Sequence, residues 1–273
     1  MKRMTHPGDP DHIYSYTQLT AFNECHYRYY LMYIEDNDLE REGNAFAEFG
    51  TLCHGLIDDW AKGNLQVWEL ADEYDARYPD VVVHEFPRIM KSVAESTYKK
   101  GLEYFQNFPL AEQKWNILET EQKYYTEIAG RKFVGIIDMI FEDEDGKLVI
   151  LDHKSKSLST FKKEADEMYR QQELYAKFCY EKYGKYPDTL AFNLFKENGL
   201  IMQKPFDLER YHDTLQWAED TIHNIETCDM FAQIEMKPEP TMYCNNLCDV
   251  RSACAFGTTP PPRKRKKKDE NAA

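Results

Sequence analysis

The pattern of apolar and polar positions is clearest over residues 135–157, GIIDMIFEDEDGKLVILDHKSKS, which reads as two strands joined by a turn. Residues 135–141 are an Ile-rich run, and residues 147–154 are a second apolar run. The acidic segment between them ends in Asp-Gly, a strong hairpin signal. One Asp sits inside each run, Asp138 in the first and Asp152 in the second. A carboxylate in a buried strand is costly unless something compensates it. Side chains alternate along a strand, so Asp152 and Lys154 share one face and His153 takes the other. Pairing the two strands brings Asp138 toward Asp152 and Lys154. Two carboxylates and an ammonium on one face suit a divalent cation with a fixed charge beside it. A solvent-facing hairpin would alternate polar residues throughout, which GIID and VILD do not.

Elsewhere the periodicity is mostly helical. Ser15 or Thr17 caps a helix that continues through TQLTAFNECHYRYYLMYI, with Cys25 inside it. A second helix over about 45–62 has a stripe of Phe49, Leu52, Cys53, Leu56, Ile57 and Trp60, with His54 beside it. Residues 65–107 read as a helical insertion, a subdomain or a lid. Residues 115–127 alternate as a strand, which puts Glu119 and Glu121 on one face, where either could add a third carboxylate. A helix over 161–183 carries Gln171 and Tyr175 four residues apart on one side. Strands are expected at 189–196 and 200–205, then a helix over 208–228.

The seven cysteines add a second chemistry. Cys244, Cys248 and Cys254 fall within eleven residues, a spacing typical of metal or iron–sulfur ligation. A fourth ligand is missing locally, and Cys25 is a candidate. Cys53, Cys179 and Cys228 lie on apolar helical stretches and read as core residues. No secretory or membrane-spanning stretch is expected, which suggests a reducing, cytoplasmic setting. The net charge of −14 includes about +4 from the basic end, residues 260–273, leaving −18 on the body. So acidic a body argues against broad non-specific nucleic-acid binding, but not against a local basic groove. Residues 1–13 are expected to be a flexible leader. Residues 257–273 are expected to be a disordered basic tail, able to touch nucleic acid or to serve as a nuclear address in a eukaryotic host.

Taken in order, a helical His, a Glu-bearing strand, G-I-I-D, I-L-D-H-K and Q-x-x-x-Y resemble the RecB-like branch of the PD-(D/E)XK nuclease superfamily. The one-plus-three cysteines are similar to the clasp of its iron–sulfur members, the CRISPR-associated RecB-like exonucleases and AddB-type nuclease domains. The chain departs from them in having His153 between Asp152 and Lys154, His26 after Cys25, and three residues between Cys244 and Cys248. The resemblance implies an α/β fold over residues 14–256: a central mixed sheet flanked by helices, the insertion at 65–107 and the cysteine cluster at 242–256. It implies Mg2+ or Mn2+ held by His54, Asp138, Asp152 and the His153 backbone carbonyl. Lys154 would orient the attacking water, Glu121 would assist a second metal, and Gln171 and Tyr175 would position the DNA strand or Lys154. Cys25, Cys244, Cys248 and Cys254 would hold a [4Fe–4S] cluster, with Zn2+ as the alternative. The implied activity is an exonuclease acting on single-stranded DNA or DNA ends, in repair, recombination or phage and mobile-element DNA processing. The expected partners are DNA and a helicase or a recombination or adaptation protein. A non-cleaving DNA-binding or assembly subunit of the same fold is the other class open to this pattern, and the intact Asp138, Asp152 and Lys154 argue against it.

Overall fold

The computed structural model describes residues 6–35, 39, 41–87, 92–228 and 241–256. A short strand β1 (Ile13–Ser15) leads into helices α1 (Tyr16–Glu24), α2 (His26–Tyr33), α3 (Ala45–Ala61), α4 (Leu70–Val81) and α5 (Val93–Asn107). Strands β2 (Asn116–Ile128), β3 (Arg131–Glu142) and β4 (Leu148–Lys154) follow, then helix α6 (Leu158–Tyr183). The chain continues through β5 (Thr189–Leu194), β6 (Leu200–Pro205), α7 (Leu208–Thr227) and the short α8 (Met242–Asn246). The expected hairpin is β3 and β4, at the centre of a six-stranded mixed sheet.

One edge of β3 pairs antiparallel with β2 along its length. The other edge is shared: β1 pairs parallel at residues 132–134, and β4 pairs antiparallel at residues 139–142. Residues 135–138 lie in the fork between β1 and β4. The strand also changes which core it feeds there. Phe133 and Ile137 belong to the core under α1, α6 and α7, whereas Met139 and Phe141 belong to the core under α3, α4 and α5. Asp138 sits at the crossover between the two.

Helices α4 and α5, within the expected insertion, therefore build the second helical layer rather than a lid. Tyr74, Tyr104 and Phe105 are fully buried, and the Tyr104 hydroxyl accepts a hydrogen bond from Asn193 Nδ2 at 2.8 Å. Two expectations at the amino end change. The single long helix is broken at Cys25, whose extended backbone (φ −160°, ψ 105°) ends α1 and caps α2. The break leaves the buried pattern of Leu19, Phe22, Tyr29 and Met32 in place, so periodicity does not reveal it. Ile13, expected in a flexible leader, begins β1, which is too short to show alternation. Residues 1–5 of that leader and the basic tail lie outside the described residues.

Gly135 is where α6 presses on the sheet. A Cβ there would lie 2.5 Å from Tyr175 Cε1 and 3.0 Å from Phe178 Cε2, both on buried rings. Gly135→Ala is expected to lower the unfolding free energy by about 1–3 kcal/mol through overpacking. Urea denaturation with an unchanged slope would measure it.

Candidate active site

Helix α3 starts where Asn44 accepts the Ala47 N–H, and its apolar stripe packs it onto the sheet. That packing delivers His54 to the fork. His54 Nε2 lies 2.8 Å from the His153 carbonyl oxygen, and the two imidazoles meet edge to face at 5.6 Å. With Nε2–H donating to that carbonyl, Nδ1 is turned to the carboxylates, 3.5 Å from both Glu121 Oε1 and Asp138 Oδ2.

Glu121 reaches this point because β2 is irregular. The register shifts between Ile117 and Glu119, and Glu121 adopts φ 47°. A non-glycine residue in the left-handed region costs about 1 kcal/mol or more, and such residues cluster at functional sites. The flanking pairs Thr120–Met139 and Gln122–Ile137 put Glu121 across from Asp138. Glu119 does not share its face. It accepts from the Tyr124 and Tyr183 hydroxyls and pairs with Lys182, on the α6 side of the sheet. Strict alternation fails here because it assumes a regular strand.

Among the described residues, only His54, Glu121 and Asp138 bring three ligand atoms within 4.8 Å of one another. An imidazole nitrogen with carboxylate oxygens and a backbone carbonyl alongside is a donor set suited to a hard divalent cation. Asp138 Oδ2 also accepts the His153 N–H at 2.7 Å. Asp152 lies beside this trio rather than in it, its carboxylate 2.7 Å from Lys154 Nζ and only 6% exposed. Lys154 Nζ donates to Gln171 Oε1 at 3.4 Å, and Gln171 Nε2 donates to the Tyr175 hydroxyl at 2.9 Å. Helix α6 thus holds Lys154 from the face opposite α3.

The charges are strongly coupled. Burial, then the neighbouring Asp152 carboxylate, push Asp138 up to about 7, against the pull of His54 and Lys154. Burial opposes the His54 imidazolium, but Asp138 and Glu121 overcome it and raise His54 to about 9. Burial, His54 and Lys154 keep His153 neutral, well below the usual histidine range. Asn193 Nδ2 faces His153 Nδ1 at 3.0 Å and so sets its tautomer. Sequence reasoning passed over Asn193, although a lone amide in the apolar run LAFNLF carries the same signal as Asp138 in its own strand.

The cysteines form a separate site. Cys25, Cys244, Cys248 and Cys254 line one largely apolar cavity of about 190 Å³, with Tyr27, Arg28 and Phe256. Arg28 Nε donates to Asp249 Oδ1 at 2.9 Å, and Arg251 Nε to Glu42 Oε2 at 2.8 Å, tying the two ends of the chain together around it. The Cys248 thiol is pushed up to about 11, chiefly by burial. Cys53 and Cys179 are core residues as expected, and Cys228 is half-buried.

A model of the PD-(D/E)XK nuclease superfamily matches residues 13–255. The chain belongs to this superfamily. Nucleases of the PD-(D/E)XK superfamily use divalent metal ions, and the His54, Glu121 and Asp138 trio lies within the matched span. A solved structure named "Putative exonuclease" from Eubacterium rectale is 13% identical, covers 78% of this chain and 81% of its own, and superposes with a TM-score of 0.48. The structure of SSO0001 is 14% identical, covers 89% and 96%, and has a TM-score of 0.31. A search of the curated proteins found no match. No helix among the described residues is long and apolar enough to cross a membrane.

A divalent ion taken up at His54 must displace a proton, because His54 is charged below about 9. Divalent-ion affinity of this superfamily member is therefore expected to rise with pH up to that value. Binding near neutral pH is expected to release about one proton from His54 and part of another from Asp138. Calorimetry in buffers of different ionisation enthalpy reads the proton count, and His54→Ala should lower it without abolishing it.

Proposed function

We propose that this chain is a Mg2+- or Mn2+-dependent deoxyribonuclease that hydrolyses DNA phosphodiester bonds as an exonuclease. The observation that carries the reading is the convergence of His54, Glu121 and Asp138 next to the Asp152–Lys154 pair. His54 Nδ1, Glu121 and Asp138 would hold the ion, with Asp152 and the His153 carbonyl as neighbouring donors. Bound there, a divalent ion supplies Lewis acidity and lowers the pKa of coordinated water. Lys154 would orient the attacking water and offset charge on the pentavalent phosphorus. Gln171 would act as a positioning residue, since it holds Lys154 through one hydrogen bond and is held by Tyr175 through another. Preference for ends or single strands, and partnership with a helicase or a recombination or adaptation protein, rest on the sequence resemblance. A silent, DNA-holding subunit has no need of the Asp152–Lys154 pair.

The four cysteines would hold a [4Fe–4S] cluster as a structural clasp. All four thiols line one cavity, and the choice of a cluster rests on the one-plus-three resemblance, with Zn2+ as the alternative.

Mn2+-dependent digestion of end-labelled single- and double-stranded DNA tests the activity. Asp152→Ala and Lys154→Ala are each expected to lower the cleavage rate by about 10²-fold or more, with circular dichroism unchanged. Asp138→Asn should behave alike, since it keeps the shape and removes the charge. Near-wild-type cleavage by any of these would remove the assignment.

For the clasp, Cys25→Ser should lose iron, sulfide and brown colour as fully as Cys244→Ser when purified without oxygen. Cys53→Ser and Cys179→Ser should keep them. Full iron in Cys25→Ser would break the clasp.

A further inference from the structure

Lys196 is a cation that the proposed chemistry does not use. It lies in the 3-10 turn Phe195–Glu197, just beyond β5. Strand β5 runs parallel to β4, with Leu194 paired to Lys154, so Lys154 and Lys196 emerge at the same end of the sheet. The Lys196 ammonium sits 5.3 Å from the centre of the Phe46 ring and 5.9 Å from that of Phe49. Among the described residues no carboxylate pairs with it. The adjacent Glu197 instead accepts the Leu158 N–H and lies 4.0 Å from Lys100. Lys196 is half-buried, and burial, with Lys100 nearby, lowers its pKa from the ordinary value against the pull of the adjacent Glu197. The two rings place the ammonium, and among the described residues no hydrogen bond takes its N–H donors.

These donors open onto a groove of about 790 Å³ that Lys196 lines together with Lys154, Ser155, Ser157 and Thr160. The groove therefore holds Lys154 and a second lysine that has no ion pair among the described residues, alongside the carboxylates Glu24, which pairs with Arg28, Glu164 and Glu167. Lys156 also lines it, but is already paired with Glu164. A DNA phosphate would supply the missing anion.

Building on the nuclease reading above, we propose that Lys196 is a positioning residue that grips a backbone phosphate of the substrate strand next to the one being cut. The contact is to the phosphate, so it is independent of base sequence. It exists in the ground state as in the transition state, so it acts on substrate binding more than on turnover.

The test compares wild type, Lys196→Met and Lys196→Arg. Methionine keeps the stem over the rings and removes the charge, whereas arginine keeps the charge. Binding of a short fluorescein-labelled single-stranded oligonucleotide is followed by anisotropy in metal-free buffer across a salt series. Cleavage of the same strand is then followed with Mn2+. Lys196→Met is expected to bind about tenfold more weakly at low salt, with the slope of log affinity against log salt shallower by about one. Its KM should rise about tenfold while kcat stays within about twofold. Lys196→Arg should bind nearly as wild type. The melting midpoint of Lys196→Met should stay close to wild type, because methionine keeps the stem packed over the rings. Wild-type affinity and salt slope in Lys196→Met would overturn the proposal. So would weaker binding that tracks a lowered melting midpoint, the mark of a structural cation. Should Lys196→Met fail to fold, Lys196→Gln carries the same comparison. Absence of DNA binding by the wild type itself would overturn the nuclease reading along with this inference.

Discussion

Two carboxylates, Asp138 and Asp152, lie close together in the middle of one sheet, and the surrounding structure is arranged around their charge. Asp152 is matched directly by Lys154. Asp138 is not matched within the sheet. It takes the His153 N–H in place of a ladder bond and faces the His54 imidazole, yet burial and Asp152 still raise its pKa. Residual negative potential of this kind is what a divalent cation relieves. The fork between β1 and β4 gives the potential an outlet, since Asp138 stands beyond the end of the β4 ladder.

The two helical layers contribute from opposite faces. Helix α3 supplies His54, and its placement depends on α4 and α5, whose aromatic residues fill the second core. Helix α6 supplies Gln171 and Tyr175, and its close approach depends on the missing side chain at Gly135. A packing change on either face would therefore reach the site without touching a ligand group, because interiors are dense and transmit displacement. The cysteine cavity plays a different part. It joins the break at Cys25 to the loop after α8, backed by the Arg28–Asp249 and Arg251–Glu42 pairs. The proposed cluster would close so long a loop and contribute to stability rather than to bond cleavage.

What the sequence by itself determined was the hairpin, its two Asp residues and the facing of Asp152 and Lys154. Each follows from local rules: an Asp-Gly turn, apolar runs interrupted by one charge, and the two-residue period of a strand. The helices bearing His54, Gln171 and Tyr175 were equally legible, since their buried stripes are long. The close grouping of Cys244, Cys248 and Cys254 needed only their spacing. The tertiary structure alone decided the rest. It turned Glu119 away from the face of Glu121, which alternation had given to both, because a register shift and a left-handed residue break alternation without leaving a sequence signal. It opened a break at Cys25 inside a continuous helical pattern. It left Lys196 with no ion-paired carboxylate among the described residues, lining the same groove as Lys154. These features depend on which distant segments meet, and a periodic pattern records only how each segment faces the core.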